Sequence, residues 1–226
     1  MKTFSDFITE AAAPSGIASA KHQEHPEDNA VKSKAGFAHA ISALRSIHKG
    51  LQSGSSSDTH ISTKFDGSPA FLAMRHPKTG AVMIATKHSA LGNNPRWAST
   101  HDEVDQHFGH SPGLAKKMHH LLNHVGKVLP AKKGVAYQGD YGHDTGDLHH
   151  TDHEVTFKPN TIKYHISKDT PEGKKAVKSK IGLAFHTQFT GNHEHPETMH
   201  AHPIEDHSAF KQHPDVHLIS TEAKLK

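Results

Sequence analysis

The chain has 226 residues, of which 33% are hydrophobic and 6% aromatic, with no cysteine and a formal charge of +3 when histidine is neutral. That length builds one large or two small domains, and the polar balance points to a folded middle with loosely held ends. Disulfides and thiolate metal sites are excluded, no apolar run is long enough to span a membrane, and the weak positive charge alone names no partner.

In chain order, residues 1–10 form a short amphipathic helix candidate, with Phe4, Phe7 and Ile8 on one face and Thr3 or Ser5 as cap. Residues 11–33 lack a sustained period and read as linker. Residues 34–51 predict the first long helix, because Phe37, Ile41, Leu44 and Ile47 recur at helical spacing and Gly50 offers a stop. A Ser- and Gly-rich loop, 52–58, leads into 59–65, which alternates polar and apolar residues as a half-buried strand does. Asp66-Gly67-Ser68-Pro69 then predicts a tight reversal into a second strand, 69–74, so that the two strands are antiparallel neighbours. Lys64 falls at the end of the first strand. It is either a surface lysine beside an ordinary turn or a partly desolvated amine, which is a usable nucleophile.

A turn at 78–80 and a strand over 82–89 follow, then a loop, 91–97, that holds the single tryptophan. Trp97 either anchors that loop in the core or stacks on a ligand beside Arg96. Two helices are predicted over 100–108 and 111–125, the first opened by a capping box of Thr100 and Glu103, the second striped with Leu114, Met118, Leu121, Leu122 and Val125. Strands are predicted over 137–141, 155–157, 161–166 and 180–189, with a short basic helix at 171–179 and a last strand at 216–220. Residues 191–226 read as a polar, His-rich C-terminal segment. The 26 histidines are scattered, and no third ligand stands at a diagnostic spacing from any His-x-His pair, so no metal ligand is assigned from them. Hairpins intermixed with helices predict an α+β domain on antiparallel sheet with helices outside.

The words Lys64-x-Asp66-Gly67 resemble the nucleophile motif of the covalent nucleotidyltransferases, the superfamily of ATP-dependent DNA ligases, RNA ligases and capping enzymes. Thr86-Lys87-His88-Ser89 is similar to a second motif of the RNA-ligase branch, and Tyr137-Gln138-Gly139-Asp140 to the strand that carries an acid facing the nucleotide ribose. With Phe157-Lys158-Pro159-Asn160-Thr161-Ile162, the set resembles a group of ligase-like proteins from large tailed bacteriophages. The resemblance implies an antiparallel adenylation-domain-like core over 34–190. It implies ATP as substrate, Lys64 as the nucleophile that forms lysyl-AMP, and magnesium to neutralise phosphate charge. Asp66 and Gly67 would shape the nucleophile's turn, Arg75 and Lys87 would meet phosphate, and Asp140 would hold the ribose. A nucleic-acid 5′ phosphate would be the acceptor.

The pattern is incomplete. Glu172-Gly173 and Lys178-x-Lys180 carry the words of the metal and phosphate motifs, yet they stand too close together, so the back half of the domain is either compressed or absent. At the other end, residues 1–10 resemble the capsid-targeting peptide of internal phage head proteins, and Ile8-Thr9-Glu10 followed by Ala11 matches the cleavage pattern of the prohead protease. That likeness implies a protease and capsid or scaffold as partners, and a place in the host cytoplasm during infection or packaged in the virion head. It leaves open a non-catalytic head protein that binds DNA or capsid.

Overall fold

The computed structural model describes residues 30–53, 63–204 and 206–221. The targeting-like peptide, the Glu10-Ala11 junction, most of the linker and the expected strand residues 59–62 lie outside these described residues. The chain divides into two compact units, one of Met1–Thr63 with Glu222–Lys226, the other of Lys64–Thr221.

In the first unit, helix α1 (Lys34–Ser53) begins where its apolar spacing predicts, opened by Ser33, whose Oγ accepts from the Gly36 amide, and runs through the expected stop at Gly50 to Ser53.

The second unit is α+β. Its main sheet runs in the order β2-β1-β3-β7-β8, from β1 (Ala70–Arg75), β2 (Val82–Thr86), β3 (Ala136–Asp144), β7 (Ile181–Thr190) and β8 (His200–Pro203). All these neighbours are antiparallel. Strand β9 (Val216–Leu218) lies parallel along Ile181–Leu183, while β8 takes the other half of the same edge of β7. Residues 191–221, read as a polar segment beyond the domain, therefore supply two strands to its sheet. The last of them, β9, stands where a strand is predicted over 216–220, whereas β8, His-Ala-His-Pro, has no apolar alternation to mark it.

Alternation decides the faces. Phe71 and Ala73 of β1, Tyr137 and Tyr141 of β3, and Leu183 and Phe185 of β7 share one face. There they pack with Val104 and Phe108 of α3 (His101–Phe108) and with Ala115, Met118, Leu121 and Val125 of α4 (Pro112–Val125). The capping box that opens α3 is formed as the sequence predicts, with Glu103 accepting from the Thr100 amide and Thr100 from the Glu103 amide. The opposite face of β3 carries Gln138 and Asp140.

A smaller sheet joins β4 (His149–His150), β5 (Glu154–Phe157) and β6 (Tyr164–Ser167), and α5 (Pro171–Lys178) packs on it through Ala176. Phe65, Phe157 and Tyr164 stack in its core, with ring centroids 4.6 Å apart for Phe65–Tyr164 and 5.4 Å for Phe157–Tyr164. This stack seats the segment that carries Lys64 between the two sheets. Among the described residues, no helix is long and apolar enough to cross a membrane.

The expected hairpin around Asp66–Pro69 does not form. The Ser68 amide donates to the Tyr141 carbonyl and the Tyr141 amide to that of Pro69, both at 3.0 Å, so the segment runs on along β3 as an extension of β1 instead of reversing. An Asp-Gly pair reverses a chain only when the two arms can pair with each other. Here β1 already has β2 on one side and β3 on the other.

Candidate functional site

Each chemical group of the site is positioned by a local rule. Asp66 accepts from the Asn160 side chain at 2.9 Å and from the backbone amides of Thr161 and Ile162 at 2.8 and 3.1 Å, while its own amide donates to the Tyr164 hydroxyl at 2.7 Å. These donors, the Ile162 amide foremost, hold its carboxyl below the usual carboxylate range. Asp66 is thus a clamp between the lysine segment and the 158–162 loop.

Gly67 lies flat against β3. A Cβ built there would stand 2.4 Å from Asp140 Cβ and 2.8 Å from the Tyr141 carbonyl oxygen. No other residue permits that approach. Lys117 of α4 pins the next residue, donating to the Ser68 carbonyl at 2.8 Å with its ammonium 5.1 Å from the Tyr141 ring centre.

Lys87 reaches the same place by a different device. Thr86 and Ser89 cap each other, Ser89 N to Thr86 Oγ1 at 3.1 Å and Thr86 N to Ser89 Oγ at 3.0 Å, and so turn the chain off β2 into the one-turn helix α2 (Lys87–Ala90). The spacing of Thr86-Lys87-His88-Ser89 is that of a capping box. Register then brings the groups together, because Phe71 pairs with Thr86 and with Gly139 while Ala70 pairs with Asp140. Burial lowers the Lys87 pKa, and Asp140 opposes that shift.

Asp140 is the most perturbed carboxylate of the site. Burial first, then the negative charge of Asp66, pushes it up to about 7, while Lys87 and Lys64 pull the other way. Its second neighbour is His186, whose Nε2 is 3.7 Å from Asp140 Oδ2. The pairing of β3 with β7 slips between Gln138–Thr187 and Gly139–Phe185, which leaves His186 as the extra residue of a bulge. Burial, then Lys87, holds its imidazole down at about 4, so it is neutral at neutral pH. The 3.7 Å contact is therefore between a neutral ring and a carboxyl that titrates near neutrality, not a standing ion pair. A bulge has no sequence signature here, and the sequence reading missed His186 for that reason. Lys64 itself is exposed, within electrostatic reach of both Asp66 and Asp140.

Arg75 does not belong to the cluster. It stands at the far end of β1 from Ala70, and its guanidinium donates to the Pro130 and Gly126 carbonyls at 3.0 and 2.9 Å, closing the C-terminal end of α4. These bonds remove it as the free phosphate cation that the resemblance implies. Arg75→Met should lower stability by about 3 kcal/mol, since two charge-assisted hydrogen bonds are lost. Denaturant unfolding measures this, and chemistry at Lys64 should persist in the folded variant.

Glu172 and Lys180 are engaged elsewhere as well. Glu172 accepts from Nε2 of the buried His217 at 2.7 Å, and the other nitrogen of His217 faces His143 Nε2 at 3.0 Å. Lys180 and Lys127 both meet Asp215, at 3.5 and 2.6 Å. Asp144 and Asp147 close their own turn, Asp144 accepting from the Gly146 and Asp147 amides. Trp97 stands edge-on to His193 at 6.0 Å, and its neighbour Ala98 bridges to Ile84, so this loop is anchored to the sheet. A cleft of about 410 Å³ between 76–78 and 191–194 lies at the opposite end of β1 and shares no residue with the cluster.

The donor set does not fit magnesium as a resident ion. Asp66 is saturated by three donors, and Asp140 is a lone carboxyl flanked by a neutral imidazole and two ammonium groups. Magnesium usually keeps several waters and binds through one or two carboxylates plus substrate phosphates, so an ion here would arrive with the nucleotide and not reside in the protein alone.

The family described as "Family of unknown function (DUF6267)" matches residues 20–226. No curated protein and no solved structure matches the chain. By the match over nearly its whole length, the chain belongs to the DUF6267 family.

Proposed function

We propose that this protein is an ATP-dependent nucleotidyltransferase of ligase-like type, with Lys64 as the nucleophile. The observation that carries the reading is convergence. Gly67 rests on Asp140 so closely that no side chain fits between them, and the capping box places Lys87 within electrostatic reach of the same Asp140. A chance Lys-x-Asp-Gly word would have no reason to meet groups 20 and more residues away.

The chemistry follows from the groups present. The amine of Lys64 attacks the α-phosphorus of ATP, the N–P bond forms, the bond to the β-phosphate oxygen breaks, and pyrophosphate departs. The amine must shed a proton, and Asp140, poised near 7, accepts one at neutral pH. Lys87, half-buried, supplies positive charge to the phosphates with part of its hydration already removed. The AMP then passes to a nucleic-acid 5′ phosphate. No step is routed through a metal held by this chain.

The test is incubation of the purified full chain with α-labelled ATP in magnesium-containing buffer, then denaturing electrophoresis, beside Lys64→Ala. The expected result is a covalent label in the wild type and none in the variant, which keeps its fold because Lys64 is exposed. Label retained in Lys64→Ala would end the assignment of the nucleophile.

A second reading is a ligase-like fold that binds DNA or capsid without catalysis, in keeping with the Glu10-Ala11 junction. One observation favours it: Glu172 and Lys180, whose counterparts would serve the reaction, are paired with His217 and Asp215. No label from folded wild type with ATP or GTP, together with virion-derived protein that begins at Ala11, would establish it.

A further inference from the structure

On the face of α3 and α4 that meets solvent, two histidines confront each other nitrogen to nitrogen. His101 Nδ1 and His119 Nδ1 are 2.7 Å apart, with the rings inclined at 29° and their centres 5.0 Å apart. Their outer nitrogens are both engaged. His119 Nε2 meets the Asp105 carboxylate at 2.9 Å, and His101 Nε2 meets the Asn123 amide oxygen at 3.0 Å.

Those partners fix the tautomers. A carboxylate oxygen and an amide oxygen only accept, so each Nε2 must carry the hydrogen, and each Nδ1 is left with a lone pair. Two lone pairs cannot face each other at 2.7 Å without a positive centre between them, which is either a proton shared by the two rings in mild acid or a metal ion. An imidazole whose far N–H is held by a carboxylate or carbonyl oxygen is also how protein metal sites orient and strengthen their histidine ligands.

We propose that His101 and His119 form a surface site for a borderline divalent transition cation of the zinc class, with Asp105 and Asn123 as positioning residues. Two imidazoles bind such an ion, and water completes its shell. Ligand nitrogens about 2.0–2.1 Å from a tetrahedral ion stand about 3.3 Å apart, so the rings need to part by roughly 0.6 Å. His101 is exposed and the His119 side chain is 28% exposed, so neither is locked by packing. The site ties the first residue of α3 to the middle of α4, and is separate from the Lys64 cluster and independent of its chemistry.

Direct measurement must single out this pair among 26 histidines. Untagged full-length protein labelled with ¹⁵N in histidine is observed by two-bond ¹H–¹⁵N correlation, with His101→Asn and His119→Asn to assign the rings. Without metal, at a pH at which neither ring is protonated, both rings should show the Nε2–H form with their Nδ1 atoms parted, and a proton shared between them at neutral pH that Zn²⁺ does not displace would end the proposal. On titration with Zn²⁺, the Nδ1 signals of His101 and His119 should move before those of any other histidine and saturate at one equivalent. Asp105→Asn should weaken this binding by about tenfold while leaving both ligands in place. The proposal fails if the first equivalent of Zn²⁺ perturbs other histidines or none. It fails equally if His101 carries its hydrogen on Nδ1, because then the Asn123 amide is turned over and an ordinary ring-to-ring hydrogen bond explains the contact.

Discussion

Gly67→Ala should lose adenylation to background and cost about 3 kcal/mol of stability. The added carbon would sit 2.4 Å from Asp140 Cβ, 2.8 Å from the Tyr141 carbonyl oxygen and 2.9 Å from the Phe65 ring. Two of these three neighbours cannot yield: one is the Cβ of a residue in a central strand, the other is backbone. The segment must therefore lift off β3, which breaks the bonds between Ser68, Pro69 and Tyr141 and moves Lys64 away from Asp140. Overpacking of a rigid site costs about 1–3 kcal/mol, and this contact belongs at the upper end. Gly113→Ala is the matched control. It lies in the first turn of α4 with nothing within 4 Å of a built Cβ, so alanine there should stabilise by about 0.5 kcal/mol through helix propensity. Denaturant midpoints and covalent labelling of the two variants decide the matter. If Gly67→Ala labels normally, the approach of that segment to β3 is not what organises the site.

The same contact shows what was legible in the sequence. Local rules were read well: the spacing of Phe37, Ile41 and Leu44, the capping box of Thr100 and Glu103, and the stripe from Met118 to Val125 each give the helix found. These depend on neighbours within one or two turns. The Asp66–Pro69 segment was misread because an Asp-Gly pair scores as a reversal on its own, whereas its real partners are Asn160–Ile162 and Tyr141, more than 70 residues away. His186 was invisible because a one-residue slip of register between β3 and β7 is a property of two strands together. Arg75 was misassigned for a related reason: a lone arginine at a strand end has no sequence mark to say that two carbonyls beyond α4 already hold it. Glu172 is parallel, since its partner His217 stands 45 residues away and only the fold brings the two together.

Those long-range partners also set the second large effect, a steep loss of stability in mild acid. Burial, then the neighbouring His217, holds His143 down at about 3; burial with Lys87 holds His186 at about 4; and burial with Lys127 holds His124 at about 4. In the unfolded chain each titrates near 6.5. A depressed folded value means that the stabilisation is present above about 6.5 and is lost as pH falls toward 4. Asp140 has the opposite sign. Its folded value of about 7 lies above the unfolded one, so its contribution is full below about 4 and is lost as pH rises through 7. Between about pH 4.5 and 6 the unfolded state therefore holds three protons on these histidines, while the native state holds one on Asp140. The difference of two gives a slope of about 3 kcal/mol per pH unit, of the order of the whole stability of a domain within two units. Above pH 7 the histidine contribution is flat, and the ionised Asp140 depends on Lys64 and Lys87 for compensation. Urea midpoints from pH 4.5 to 8 should fall sharply below 6.5, and ¹⁵N spectra should show His143 neutral down to the pH at which the chain unfolds. A flat profile over that range, or a His143 that protonates near 6 in the folded protein, would mean that the buried His217–His143 pair below Glu172 is open to water and cannot hold β9 against β7 in the way its hydrogen bonds require.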